Sequence, residues 1–205
     1  MLKIWGRTNS VNVKKALWTL EELRLPYERI DAGMRFGVVN TPEYRRLNPN
    51  GLVPTIDDDG FILWESHAIV RYLGAKHAAG SLWPTDLKVR ADADRWMDWA
   101  YTFAGVLRPV FWNLIRTPPD KRDLKLVEDG VQKAGELATA VDAQLAGRAY
   151  VAGETLTMGD IPLGCHLQLW FRLDIARPTL PRLQAWFERL CARPAYAKIV
   201  DTPLS

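Results

Sequence analysis

The chain has 205 residues, 48% of them hydrophobic, so it can bury a sizeable core and is expected to form one or two globular domains. Lys and Arg number 27 against 24 Asp and Glu, and a dispersed net charge of +3 gives no basic footprint for a nucleic-acid partner. The opening MLKIWGRTNS lacks the apolar core and small-residue cleavage site of a secretory signal, and no apolar run is long enough to span a bilayer; a soluble cytoplasmic protein with no membrane partner is expected.

The first segment, LKIW, reads as a strand. SVNVKKALWTLEELRL follows with Val13, Leu17, Leu20 and Leu23 on one helical face, and PYERID alternates Tyr27 and Ile30 with charged residues as a second strand. Strand, helix, strand predicts parallel pairing. PEYRRL reads as a short helix. PTID and FILW then read as two strands joined at Asp59-Gly60, a strong hairpin signal, and ESHAIVRYLGAKH closes the segment as a helix. Beyond Ala78, AAGSLWPTD has the Gly, Ser and Pro of a linker, and everything later reads helical. Trp96, Trp99, Phe103 and Leu107 fall at helical spacing as an aromatic stripe suited to core packing. The expected architecture is α/β followed by all-α, with a first domain over 1–77, a linker over 78–88 and a helical domain over 89–205.

Cys165 and Cys191 lie in helical patterns without CxxC spacing, and His67, His77 and His166 are scattered, so neither a disulfide scaffold nor a bound metal is expected. Ser10 is a preferred helix N-cap, and Asn12 stands in the first turn; both are hydrogen-bond donors that can stabilise an anion and cannot act as bases near neutral pH. Thr8 and Asn9 are competing donors in the same turn. Glu65 and Ser66 open the helix after the hairpin, where either can cap it, and Pro54 stands at a strand start. Thr157 and Asp160, three apart, fit a capping box that satisfies helix-end donors reciprocally. On these residues alone, cap and binding site remain open alternatives.

Four stretches in order, SVNVKK after the first strand, NPNGLVPTI before the hairpin, ESHAIVRYL after it and LTMGDI in the helical part, together resemble the cytosolic glutathione transferases across essentially the whole chain. The resemblance implies a thioredoxin-like N-terminal domain that binds glutathione as co-substrate, a helical domain that supplies a hydrophobic site, no metal, and a homodimer. The first strand ends in Trp5-Gly6 where a tyrosine would mark the phenol-using classes, and Ser10 stands where a cysteine would mark the glutaredoxin-like ones. The chain is therefore similar to the serine-type, theta-like bacterial enzymes. The Ser10-Val11-Asn12 spacing also resembles the bacterial nu-like subgroup, which uses a hydroxyl residue and an asparagine two positions on.

Carried over residue by residue, the resemblance implies that Ser10 and Asn12 are the catalytic donors to the glutathione thiol. Leu52, Val53 and Pro54 hold the cysteinyl part by backbone pairing, with a cis bond before Pro54. Glu65 and Ser66 receive the γ-glutamyl group. Thr157 and Asp160 form a structural cap. Phe36, Tyr101, Arg108 and Trp112 line the second substrate's pocket. Leu52 departs from the family, since many relatives carry lysine or another polar residue there. The implied activity is transfer of the glutathione thiol to electrophilic, partly apolar small molecules. Disulfide reduction, isomerisation or dehalogenation on the same fold, and a non-catalytic interaction module, stay open at this point.

Overall fold

A computed structural model describes residues Met1–Ser205 and divides into two compact units, Met1–Trp83 and Pro84–Ser205. In the first unit the order is β1 (Leu2–Trp5), α1 (Val11–Glu22), β2 (Tyr27–Ile30), a 3-10 turn (Met34–Phe36), α2 (Pro42–Leu47), β3 (Thr55–Asp58), β4 (Phe61–Trp64) and α3 (Ser66–His77). The strands form one sheet in the order β2-β1-β3-β4. The crossover through α1 brings β2 parallel to β1, while β3 runs antiparallel to it. Asp59 (φ 51°) and Gly60 (φ 94°) both take the left-handed backbone of a tight hairpin, which folds β4 back on β3.

Burial fixes the register. Ile4 and Ile56 face each other across β1 and β3 with no exposure, and α1 packs on α3. Trp5 then stands opposite Ile30 and Thr55, and Thr55 stands opposite Trp64. In consequence the segments after β1, after β2, before β3 and after β4 all leave the sheet at the same end. Gly6 begins the first of these segments, and only glycine fits there: a Cβ would lie 2.4 Å from the Val13 Cγ2 of α1.

The second unit consists of α4 (Leu87–Phe111), which runs into a π turn at Trp112–Arg116, a 3-10 turn (Pro119–Lys121), α5 (Leu124–Gln144), α6 (Asp160–Arg172), α7 (Pro181–Cys191) and α8 (Pro194–Ile199). No helix is long and apolar enough to cross a membrane. The first of them starts inside the stretch expected as linker, because Asp86 Oδ1 accepts from Lys88 N at 2.8 Å and Val89 N at 3.0 Å and caps it at Leu87. Trp96, Phe103 and Leu107 are buried and Trp99 is half-buried, with the aromatic contacts running on to Trp170 of α6.

Two carboxylates tie these helices together. Asp142 of α5 accepts from the backbone N of Arg182 (2.8 Å) and Leu183 (2.9 Å), capping α7 from a different helix. Asp160 is wholly buried. Its Oδ1 accepts from Val151 N and Trp186 Nε1, both at 3.0 Å, and its Oδ2 accepts from Thr157 N at 2.9 Å and Thr157 Oγ1 at 3.1 Å. The Thr157–Asp160 pairing is thus one half of a capping box: the carboxylate takes the Thr157 amide, but the hydroxyl donates to the carboxylate instead of accepting an amide. Burial pushes the Asp160 carboxyl above its ordinary range, while its four donors pull the other way.

Asp160→Ala is expected to destabilise the protein by at least about 3 kcal/mol. Two amides and an indole N–H are left buried and unpaired at roughly 1–3 kcal/mol each. Denaturant titration followed by tryptophan fluorescence measures it; a loss of only about 1 kcal/mol would mean that Asp160 is no more than a helix cap.

Candidate functional site

The loop from Gly6 to Ser10 is fastened to the sheet by Gly6 N donating to Ile30 O at 2.9 Å and turns through Ser10 N to Arg7 O at 3.3 Å. Ser10 is the N-cap residue of α1, with φ −87° and ψ 121°, and its carbonyl accepts the Lys14 amide at 2.9 Å. Its side chain makes no cap hydrogen bond, although the residue is buried. Position and hydroxyl are therefore separable: the backbone caps the helix and the Oγ does not. Thr8 and Asn9 are exposed.

Asn12 is exposed in the first turn, and its Oδ1 accepts from Lys15 Nζ at 3.0 Å. Lys15 is entirely buried, and the same Nζ lies 2.9 Å from Nε2 of His67, which is 1% exposed. With Lys15 protonated, its ammonium only donates, so His67 Nε2 then accepts and the ring carries its proton on Nδ1. The same rule orients Asn12: its oxygen faces Lys15 and its NH2 end is turned away. Burial first, and then the charges of Lys15 and Arg71, push the His67 pKa down to about 2.

At the second loop the Val53–Pro54 bond is cis, as the resemblance implies. The Leu52 side chain is exposed, but its carbonyl accepts from Tyr44 Oη at 2.6 Å and from Asn48 Nδ2 at 3.0 Å. The Tyr44 hydroxyl is also 2.9 Å from Thr55 Oγ1, to which Asn48 Nδ2 donates at 3.1 Å. Two residues at α2 thereby set the backbone that enters β3. The loop after β2 joins this cluster, since a Cβ on Gly33 would stand 3.4 Å from Val53 Cγ2 and 3.5 Å from Arg7 Nη1.

Glu65, between β4 and α3, has φ 71° and ψ 112°, a conformation that costs a non-glycine residue about 1–3 kcal/mol. Its carbonyl accepts Ile69 N at 2.9 Å, while its exposed carboxylate makes no cap bond; the alternative of a carboxylate cap is not realised. Ser66 is buried as the first residue of α3. Two helices thus begin at one end of the sheet, and a helix start favours an anion.

Ser10, Val53, Pro54 and Glu65 belong to the segments that leave this end of the sheet, Asn12 and Ser66 to the first turns of α1 and α3, and Phe36 is half-buried in the 3-10 turn after β2 with the Arg35 guanidinium 4.8 Å from its ring. Tyr101, Arg108 and Trp112 belong to the helical unit. Spaced by seven and four along one helical stripe, they are all exposed, with the Arg116 guanidinium 4.5 Å from the Trp112 ring. An open groove of about 520 Å³ in that unit, lined by Val106, Pro109, Leu126 and Asp129 among others, contains none of the three.

Lys15, His67, Tyr44 and Asn48 carry contacts that the sequence reading did not single out. The signal for Lys15 is present: Asn12, Lys15 and Thr19 form a polar stripe at helical spacing, and Thr19 Oγ1 donates to Lys15 O at 2.9 Å. From sequence such a stripe is indistinguishable from a solvated face.

Comparison with known proteins bears on the family and the fold. The family description "Glutathione S-transferase, N-terminal domain" matches residues 9–76, and "Glutathione S-transferase, C-terminal domain" matches residues 106–194. The chain is similar to glutathione S-transferase GstB of Escherichia coli (strain K12), 42% identical over 208 residues with all of both chains covered. It is 34% identical to glutathione S-transferase 1 of Manduca sexta over 90% of this chain and 85% of that one. Among solved structures, the theta class glutathione S-transferase of Xanthomonas axonopodis pv. citri with glutathione bound superposes with a TM-score of 0.95, at 50% identity over 100% of this chain and 99% of that one.

The buried imidazole has a consequence for stability. An unfolded histidine takes up a proton as pH falls through about 6.5, whereas folded His67 stays neutral to about 2, so its contribution is complete above pH ~6.5 and is lost on acidification. His67→Gln, which keeps an acceptor for Lys15, is expected to remove a slope approaching about 1.4 kcal/mol per pH unit. Denaturant midpoints of both proteins between about pH 7.5 and 5 test this; parallel curves would show that the folded imidazole takes up its proton over the same pH range as the unfolded one.

Proposed function

The chain belongs to the glutathione S-transferase family, and we propose that it ionises the glutathione thiol at the start of α1 and transfers the sulfur to electrophilic, partly apolar small molecules. The observation that carries the reading is Ser10: an N-cap residue whose hydroxyl makes no cap bond, at the end of the sheet where α1 and α3 both begin. A free thiol has a pKa of about 8.5, and lowering it by two units takes about 2.7 kcal/mol. Hydrogen bonds to a charged sulfur supply roughly 1.5–3 kcal/mol each, so donors at Ser10 and Asn12, with a few tenths from the helix start, are sufficient. Neither residue removes the proton by its own basicity. They favour the thiolate, the thiol proton passing to water, and its sulfur then forms a bond to the electrophilic carbon; with an activated aryl chloride the sulfur adds to the ring carbon and the C–Cl bond then breaks, releasing chloride and restoring the ring.

In this reading Val53 extends β3 beyond its paired residues and offers backbone groups to the cysteinyl part of glutathione, with Leu52 and Pro54 on either side. Glu65 takes the γ-glutamyl ammonium, and Ser66 with the start of α3 takes the carboxylate. Leu52 supplies no polar side chain for the glycine carboxylate. Tyr101, Arg108 and Trp112 of the helical unit, and separately Phe36 of the first unit, are carried over as contacts to the electrophile. Assembly as a homodimer and residence in the cytoplasm belong to the same proposal, which the likeness to the family members above supports.

Ser10→Ala is expected to raise the pKa of bound glutathione and to lower turnover of a chlorodinitrobenzene most at neutral pH, with partial recovery in alkali. Ser10→Gly, which preserves much of the cap's stability, should do the same, and Asn12→Ala should do so more weakly. Ultraviolet titration of the bound thiolate beside pH-rate profiles reads all three. An unchanged thiol pKa and unchanged turnover in Ser10→Gly would reduce Ser10 to a cap. Independently, Glu65→Ala and Ser66→Ala should weaken glutathione much more than an analogue lacking the γ-glutamyl group; calorimetry showing equal losses for both ligands would point to collapse of the α3 start instead.

A further inference from the structure

We propose that Lys15 is a positioning residue for thiol activation: its buried ammonium grips Asn12 by the side-chain oxygen, presents the Asn12 NH2 to the sulfur, and adds a fixed positive charge one turn behind the helix start. The inference rests on the preceding reading, that the glutathione thiol is bound at the beginning of α1.

The geometry runs through three groups. Lys15 Nζ is 3.0 Å from Asn12 Oδ1 and 2.9 Å from His67 Nε2, and Lys15 has no exposure to solvent. If the Asn12 amide were rotated, two donor groups would oppose each other beside a buried charge, so the ammonium selects one orientation of the amide. The selected orientation leaves the NH2 directed away from the helix interior, on an exposed residue two positions past Ser10. A free asparagine on a helix surface samples several rotamers, and ordering it before glutathione arrives removes a cost that binding would otherwise meet.

His67 completes the device. It follows Ser66 directly, so its contact with Lys15 ties the first turn of α3 to α1. Its imidazole, under the charges of Lys15 and Arg71, stays neutral, and a neutral ring accepts a hydrogen bond from Lys15 where an imidazolium would repel it. Two acceptors, Asn12 Oδ1 and His67 Nε2, offset part of the desolvation that burial imposes on the Lys15 ammonium, and a charge held there acts on a nearby anion with less screening than that of an exposed lysine. A lysine that merely joined two helices would need neither the Asn12 contact nor a location at the helix start.

The test uses the full chain with glutathione and a chlorodinitrobenzene. Lys15→Met removes charge and donors while retaining length. It is expected to raise the pKa of the bound thiol by about one unit, to lower kcat about tenfold at neutral pH with recovery above the new pKa, and to change KM for glutathione less than threefold. Asn12→Ala should add little in that background, because the amide is no longer held, whereas Asn12→Asp in the wild-type background should raise the thiol pKa at least as much as Asn12→Ala. Folded Lys15→Met with an unaltered thiol pKa and pH profile overturns the proposal. If Lys15→Met does not fold, nitrogen-labelled wild-type protein decides: the Asn12 side-chain amide resonances should shift with glutathione as its thiol titrates and not with S-methylglutathione, and no such difference overturns the proposal. Failure of the underlying reading is distinct, because wild-type protein would then show no lowering of the thiol pKa on binding glutathione.

Discussion

The pairing of β1 with its two neighbours at Trp5 is the constraint on which the rest depends. Opposite it stand Ile30 on one side and Thr55 on the other, and Thr55 in turn faces Trp64. A slip by one residue would turn Ile4 and Ile56 out of the core, so hydrophobic burial holds the register. That single alignment sends four connecting segments out of one sheet end and makes α1 and α3 start side by side. The loops of the proposed site are therefore positioned by apolar residues of the sheet.

Much of this was legible in the sequence. The strand, helix, strand pattern of LKIW to PYERID, and the Asp59-Gly60 turn between two alternating runs, depend on local periodicity and on backbone conformations few residues accept, and both survive folding unchanged. Ser10, Pro54 and Ser66 could be located because each sits at a boundary between such elements. Whether a boundary residue caps or catalyses was not legible, since the answer lies in where one hydroxyl points. Lys15 was hidden for the opposite reason: a charged residue at helical spacing from another polar one reads as solvent-facing, and only the packing of α1 on α3 reverses it. Asp86 shows a boundary shifted by a side chain, its carboxylate starting α4 within a stretch whose composition suggests a linker.

In the helical unit, the interior polar groups specify more than they stabilise. Asp142 and Asp160 reach out of their own helices to amides near the start of α7 and in the loop before α6. A buried carboxylate repays its desolvation only when nearly all its acceptor positions are filled, so these contacts admit one arrangement of the helices and penalise the others. Lys15, Asn12 and His67 follow the same logic in the first unit. Removing one member of such a set leaves the remainder without partners, so single substitutions there have larger effects than the worth of one hydrogen bond.

Glu65 illustrates a different relation between fold and use. Its left-handed φ would be accepted freely by glycine, and the glutamate holds it at a cost of about 1–3 kcal/mol. A laboratory selection for heat resistance alone would therefore be drawn toward glycine at this position and would discard the one carboxylate at the start of α3. Thermal hardening of this enzyme and retention of its charge pattern are competing objectives at that codon, and a stabilised library is best built with residue 65 held fixed.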